Sequence, residues 1–205
     1  MFKKIAVAAV ATTFSLSASM SYAGPKAEVL HWWTSGGEAK SVAVLQKEFS
    51  ENGGTWTDMP VAGGGGDAAM TALRARVLSG NAPAAVQLKG PSIQEWYEEG
   101  ALADISDVAN KNNWSKVLPE SIAGHMKCEG KWCAAPVNVH RIDWIWANAS
   151  VLSSNGLSMP KTWEEFNATA KALQAKGIIP LAHGGQAWQD ATVFEAVALL
   201  SLIHI

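Results

Sequence analysis

The sequence predicts an α/β fold built on a parallel sheet, and three observations carry that reading. From residue 28 to residue 100, stretches of strand and helix character alternate, an order that favours parallel strands joined by helical crossovers. The helical stretches carry apolar residues at helical spacing, as in Val42, Leu45 and Phe49. Hydrophobic residues make up 48% and charged residues 17% of the 205, a globular balance that supplies one or two cores and excludes disorder.

The elements follow in order. EVLHWW, residues 28–33, reads as the first strand and residues 38–51 as the first helix. TWTDMPV, residues 55–61, alternates and holds β-branched residues, which makes it the second strand. Residues 63–66 are a glycine loop, and Asp67 is placed as the N-cap of a helix over 68–78 that Ser79 and Gly80 close. AAVQLKG, after Pro83, reads as a buried strand, and residues 92–100 as a short helix.

Beyond Gly100 the pattern loosens. A loop with one helical turn is expected over 104–113, a short helix over 115–123, and a hairpin around Gly130 that leads into an alternating strand, AAPVNVHRIDWIWANASVL. PKTWEEFNATAKALQAKG is the clearest helix. Thr162 with Glu165 forms a capping box, Trp163, Phe166, Ala170 and Leu173 make the stripe, and Gly177 ends it. IIPLAHGG is another strand and turn, and a last helix begins near Gln189.

The N-terminus stands apart from the fold. Lys3 and Lys4 precede an apolar stretch over 5–16, and Ser21, Tyr22 and Ala23 stand where signal peptidase cuts, so residues 1–23 read as a signal peptide. The stretch is too short for an ordinary transmembrane helix, and no later run of about 20 apolar residues exists. Without Lys3 and Lys4 the basic count falls from 16 to 14 against 18 acidic residues, moving the formal net charge from −2 to −4. That balance speaks against nucleic acid and against an anionic membrane surface as partners.

Export bears on the two cysteines. With Gly130 and Lys131 as a two-residue loop, Glu129 pairs with Trp132, and Cys128 faces Cys133 at the next position. A local disulfide and two free thiols both stay open. Four intervening residues and no second pair do not match zinc spacing, so no metal is expected.

Catalytic motifs are weak. AGGGGDAAMT lacks the Gly-Lys-Ser/Thr ending and the Gly-x-Gly-x-x-Gly pattern of nucleotide loops, and it reads as a flexible turn. There is no Gly-x-Ser-x-Gly elbow and no zinc helix. Glu38 with Glu164 or Glu165 could be drawn as a glycosidase acid/base pair, but capping and solvation explain the latter two. No catalytic residue and no cofactor is assigned.

A binding site fits better. The chain has ten tryptophans, more than half of them expected in cores. Trp32 and Trp33 stand at the C-terminal end of a parallel strand, where open α/β sheets hold ligands. An indole face matches the apolar C–H face of a sugar ring, and stacking there removes area worth roughly 2 kcal/mol at about 25 cal/mol per Å². Lys89 would donate to sugar hydroxyls and Glu38 would accept from them. One of the two tryptophans, Trp32, is expected to pack under the first helix, because successive strand residues face opposite ways.

EVLHWWTSGGEAK, QLKGPSIQEW, GKWCAAPVNVHRIDWIWAN, PKTWEEFNATAKAL and GIIPLAHGGQAWQDATVFE together resemble the extracellular solute-binding proteins of sugar ABC importers, the periplasmic glucose/mannose-type group above all. The resemblance implies a type II periplasmic binding protein-like fold, with two α/β lobes, a hinge and a ligand cleft. It divides the chain into a first lobe over 24–135 and a crossover with the start of the second over 136–205. It implies a monomer that binds a monosaccharide such as glucose in the periplasm and delivers it to inner-membrane permease subunits. At matching positions it makes Trp32, Trp33, Glu38 and Lys89 ligand contacts from the first lobe, His140 a contact near the crossover, and Trp188 a contact or wall from the second. Gln87 and Asn138 are secondary candidates. An exported glycoside hydrolase and a receptor for another small molecule, including a sensory one, are the alternatives.

Members of that group are roughly twice this length. The second lobe is therefore expected to be truncated, and the 205-residue chain to bind weakly or not at all. LSLIHI, residues 200–205, has no cap and a β-like run, so it is expected to fail as a helical continuation. It can be read from CTG TCT CTT ATA CAC ATC, a transposon-end adapter, and is expected to be non-native.

Overall fold

The computed structural model describes residues 24–140, 142 and 144–202. The signal-peptide reading of residues 1–23, Arg141 and the last three positions of the LSLIHI stretch lie outside them.

The centre is a three-stranded parallel sheet in the order β2-β1-β3, with β1 Lys26–His31, β2 Thr55–Pro60 and β3 Ala85–Val86. Its register pairs Lys26 with Thr55 and His31 with Pro60 on one side, and Leu30 with Val86 on the other. The crossovers are α1 Gly36–Glu51 and α2 Asp67–Leu78, as the alternation predicts. Leu30 is fully buried at the middle of the sheet and forms the main core with Ala69 and Leu73 of α2 and with Trp96. Trp96 belongs to α3 Ser92–Glu98.

Glu28 on β1 and Arg76 on α2 tie this layer together through two hydrogen bonds of 2.6 Å. Asp67 is the first residue of α2 and not its cap. The N-cap is Gly66 in a left-handed conformation, and no side chain caps the end. Only two residues of AAVQLKG are paired as strand, because β3 meets β1 at Val29 and Leu30 alone.

Next come α4 Ser106–Lys111, α5 Trp114–Val117 and α6 Glu120–His125. The single helix expected over 115–123 is two, since Pro119 cannot continue the first and is well placed ahead of the second. The hairpin, β4 Lys127–Cys128 and β5 Lys131–Trp132, pairs Lys127 with Trp132 and Cys128 with Lys131. Its loop is therefore Glu129 and Gly130, one residue earlier than expected. Both have positive φ, 49° and 80°, which is the two-residue turn that matches strand twist. Cys128 and Cys133 are diagonal neighbours, not opposite ones, and are disulfide-bonded with Cα atoms 5.9 Å apart. Both are buried beside Ile93.

The last part holds α7 Ala149–Ser154, α8 Trp163–Gln174 and α9 Ala187–Leu202. Thr162 caps α8 by accepting the Glu165 N–H at 3.2 Å, while the Glu165 carboxylate reaches back to the Lys161 N–H at 2.6 Å. Gly177, at φ 71°, closes the end: its N–H reaches Gln174 and that of Ile178 reaches Leu173.

Four expectations fail here. Residues 134–140 are not a strand. Val137 and Val139 are 57% and 68% exposed, and the described residues pair no strand beside them. Residues 178–185 are likewise irregular. The last helix, α9, continues through Leu202, so the start of LSLIHI does extend it. Only Trp33, Trp96 and Trp132 of the ten tryptophans are buried, fewer than composition suggested.

Candidate ligand-binding site

β1 ends at His31, so Trp32 and Trp33 leave the sheet at its C-terminal edge. The two indoles have different surroundings, as alternation along an extended chain requires. Trp33 is the buried one, at 5% exposure. It lines a cavity of about 230 Å³ with Ala39 and Val42 of α1 and with His31, Asp58 and Pro60. Packing beneath the first helix therefore falls to Trp33, a reversal of the sequence expectation: Leu30 packs on α2, so alternation puts Trp32 on that same side and Trp33 with His31 beside α1.

Trp33 is held by a short relay. Its backbone N–H donates to His31 Nδ1 at 3.2 Å, and His31 Nε2 meets Asp58 Oδ1 at 2.8 Å. Because Nδ1 accepts, the proton of the neutral ring lies on Nε2 and is donated to Asp58. Partial burial pushes the Asp58 carboxyl up, but hydrogen bonds from the Trp56 indole and from His31 outweigh it and hold the group below its ordinary range.

Trp32 is half-buried against the main core. Its backbone N–H donates to Gln87 Oε1 at 3.2 Å. The Lys89 ammonium stands 5.9 Å from its ring centroid and donates to the Gly65 carbonyl at 2.6 Å. Gly65 belongs to a single 3₁₀ turn, Gly64–Gly66. Trp32 rests on its neighbour Gly66, where an added Cβ would stand 3.1 Å from three atoms of the ring. Trp188, in the first turn of α9, rests on Gly65, where an added Cβ would stand 2.8 Å from the indole nitrogen. That nitrogen donates to Gln186 Oε1 at 2.9 Å.

Three predicted site residues, Trp32, Lys89 and Trp188, thus converge on two consecutive glycines, although 156 positions separate Trp32 from Trp188 in the chain. Trp33 and His140 form a second group, with ring centroids 6.1 Å apart, and Asn138 Nδ2 meets His140 Nε2 at 2.6 Å. Glu38 is exposed in the first turn of α1 and makes no side-chain hydrogen bond or ion pair among the described residues. Sequence reasoning missed the contacts of Gly65 and Gly66. A glycine run reads the same whether solvent or an indole lies on it.

The carboxyls of α8 are engaged as caps. Glu165 accepts the Lys161 N–H, and the Glu164 carboxyl is held low by its own backbone N–H and by the Thr162 hydroxyl. A glycosidase acid needs the opposite shift. Among the described residues no group of three His, Cys, Asp or Glu side chains is placed to hold a metal ion, and no helix is long and apolar enough to cross a membrane.

Residues 33–202 match the model of the bacterial extracellular solute-binding proteins. The chain belongs to that family. A relative from Rhizobium meliloti (strain 1021), named a probable sugar-binding periplasmic protein, is 50% identical over 96% of this chain and 48% of its own length. One of the same name from Mesorhizobium japonicum is 44% identical over 97% and 48%. The chain spans about half the length of the curated relatives it matches. A solved chitin oligosaccharide binding protein superimposes with a TM-score of 0.63 at 22% identity, over 81% of this chain and 42% of that one. An ABC substrate-binding protein from Listeria monocytogenes does so with 0.56 at 20% identity, over 73% and 39%. These likenesses show that the family's α/β fold is the fold of this chain.

The charged pairs of the family member's sheet predict its acid behaviour. The Arg76 hydrogen bonds hold the Glu28 carboxyl below its ordinary range, as Trp56 and His31 do for Asp58 against the opposing effect of burial. A carboxyl with a depressed native pKa stabilises fully above its unfolded value, about 4, and that stability is lost as pH falls through the native value. Urea midpoints are therefore expected to fall below about pH 4, with a shallower acid slope for Glu28→Gln. An unchanged slope in that variant would remove the pair from the account.

Proposed function

We propose that the protein carrying this chain is the periplasmic sugar-binding component of an ABC importer, and that it captures a monosaccharide such as glucose and hands it to a membrane permease. The observation that carries the reading is the convergence of Trp32, Lys89 and Trp188 on the Gly64–Gly66 turn at the C-terminal edge of a parallel sheet. An exposed ammonium beside indole faces suits a ligand with an apolar C–H face and a belt of hydroxyls. In this reading Trp33 with His140, the second group, and the exposed Glu38 carboxylate of α1 serve as further ligand contacts, Glu38 accepting from hydroxyls. The relatives named as probable sugar-binding periplasmic proteins support the same ligand class and compartment. The lobes divide near residue 135, in this reading, and the remaining walls of the cleft come from sequence beyond this chain's share of its relatives.

One relative favours a second ligand class. A Rhizobium meliloti protein named an sn-glycerol-3-phosphate-binding periplasmic protein is 25% identical over 83% of this chain. The test is calorimetric titration of the protein carried to its relatives' full length with glucose, galactose and sn-glycerol 3-phosphate. Saturable hexose binding at micromolar concentration, without product formation, is the expected result, and about a hundredfold weaker binding by the 205-residue chain alone. Glycerol phosphate binding without hexose binding would replace the sugar, and turnover of a glycoside would replace the whole reading.

A further inference from the structure

We infer that Gly65 and Gly66 are specificity-determining positions that set the width of the ligand slot. The inference rests on the sugar-binding reading and adds the device that spaces its aromatic walls. Trp32 comes from the end of β1 and Trp188 from the start of α9, and neither element pairs with the other. What they share is two consecutive residues of backbone.

An added Cβ at Gly66 would meet three Trp32 ring atoms at 3.1 Å, and one at Gly65 would meet Trp188 at 2.8 to 3.1 Å. Trp188 therefore lies closer to Gly65 than a side chain there would allow, and Trp32 would have to give by a few tenths of an ångström at Gly66. The Gly65 carbonyl also takes the Lys89 ammonium at 2.6 Å, so the same residue that Trp188 rests on fixes the donor 5.9 Å from the Trp32 ring centroid. A sugar that accepts from Lys89 competes with that carbonyl, and its ring must fit the spacing that the two missing side chains define. Gly63, in the same run, has positive φ and nothing within 4 Å of an added Cβ.

That contrast supplies the control. Alanine at Gly63, Gly65 or Gly66 enters backbone at φ 96°, 57° or 109°, strained in each case, but only the last two press on an indole. In the full-length protein Gly63→Ala is expected to keep its hexose Kd within about threefold, and Gly65→Ala and Gly66→Ala to raise it about tenfold or more. Gly65→Ala is expected to cost nothing further in a Trp188→Ala background, since the contact is already gone. Gly65→Asn tolerates the backbone better and carries the same Cβ, so it serves if the alanine variant does not fold. Without sugar, the Trp188 indole N–H resonance is expected to shift in Gly65→Ala and to stay in Gly63→Ala. Wild-type protein that binds no sugar would overturn the functional reading, and this inference with it. Wild-type binding with all three alanine variants alike would overturn this inference alone.

Discussion

Lys89→Ala is expected to weaken hexose binding by the full-length protein between about tenfold and a hundredfold, with the melting temperature nearly unchanged. The side chain is exposed, and its contacts are the Gly65 carbonyl and the Trp32 face. Removing it from the ligand-free protein leaves that carbonyl free to take water, so the cost to folding falls within about 0.5 kcal/mol. In the complex the loss is larger. A hydrogen bond from a charged donor contributes about 1.5–3 kcal/mol, which is the stated range in Kd. Calorimetry beside a thermal melt separates the outcomes. An unchanged Kd removes Lys89 from the site, and a Kd that rises only with a large fall in melting temperature makes the residue structural.

Leu30→Ala is expected to destabilise the fold by about 2–5 kcal/mol, the range for a leucine truncated in a packed core. Leu30 lies fully buried on the central strand, between Ala69 and Leu73 of α2 and Trp96 of α3, and its carbonyl takes the Gln87 N–H at 2.8 Å. The cavity would open beneath Trp32 and Gln87, so sugar binding should weaken as well. For a chain of this size the melting temperature falls about 2–4 °C per kcal/mol, which predicts a drop of about 4–20 °C. A drop under about 2 °C would mean that this cluster is not the core of the sheet.

How much of this was legible depends on how far each determinant reaches along the chain. The parallel sheet and its crossovers were, because strand and helix periodicities are local and alternate cleanly up to Gly100. The cap of α8 was legible for the same reason, as Thr162 and Glu165 lie within one turn. The hairpin was located but placed one residue late. Gly130 can serve as either loop residue, and only the positive φ at Glu129 decides for the second. Residues 134–140 alternate like a strand, yet alternation records a preference that needs a neighbour to pair with. Most consequential was the face each residue of β1 takes. Leu30 packs on α2, which puts Trp32 on that side and Trp33 with His31 beside α1, and nothing in HWWT marks which face is which. The meeting of Trp188 with Gly65 is a long-range contact, so single-sequence periodicity carries no trace of it.

The central claim is that sugar enters between Trp32 and Trp188 above the glycine turn, and the indole N–H resonances of the ten tryptophans test it most directly. In the full-length protein titrated with glucose, the Trp32 and Trp188 signals, assigned by single substitutions to phenylalanine, are predicted to shift along the binding curve. Those of Trp114 and Trp132, which pack edge to face with centroids 5.4 Å apart in a separate core, are predicted to stay in place. Saturable binding that leaves both Trp32 and Trp188 unmoved would contradict the account and put the sugar elsewhere on the fold.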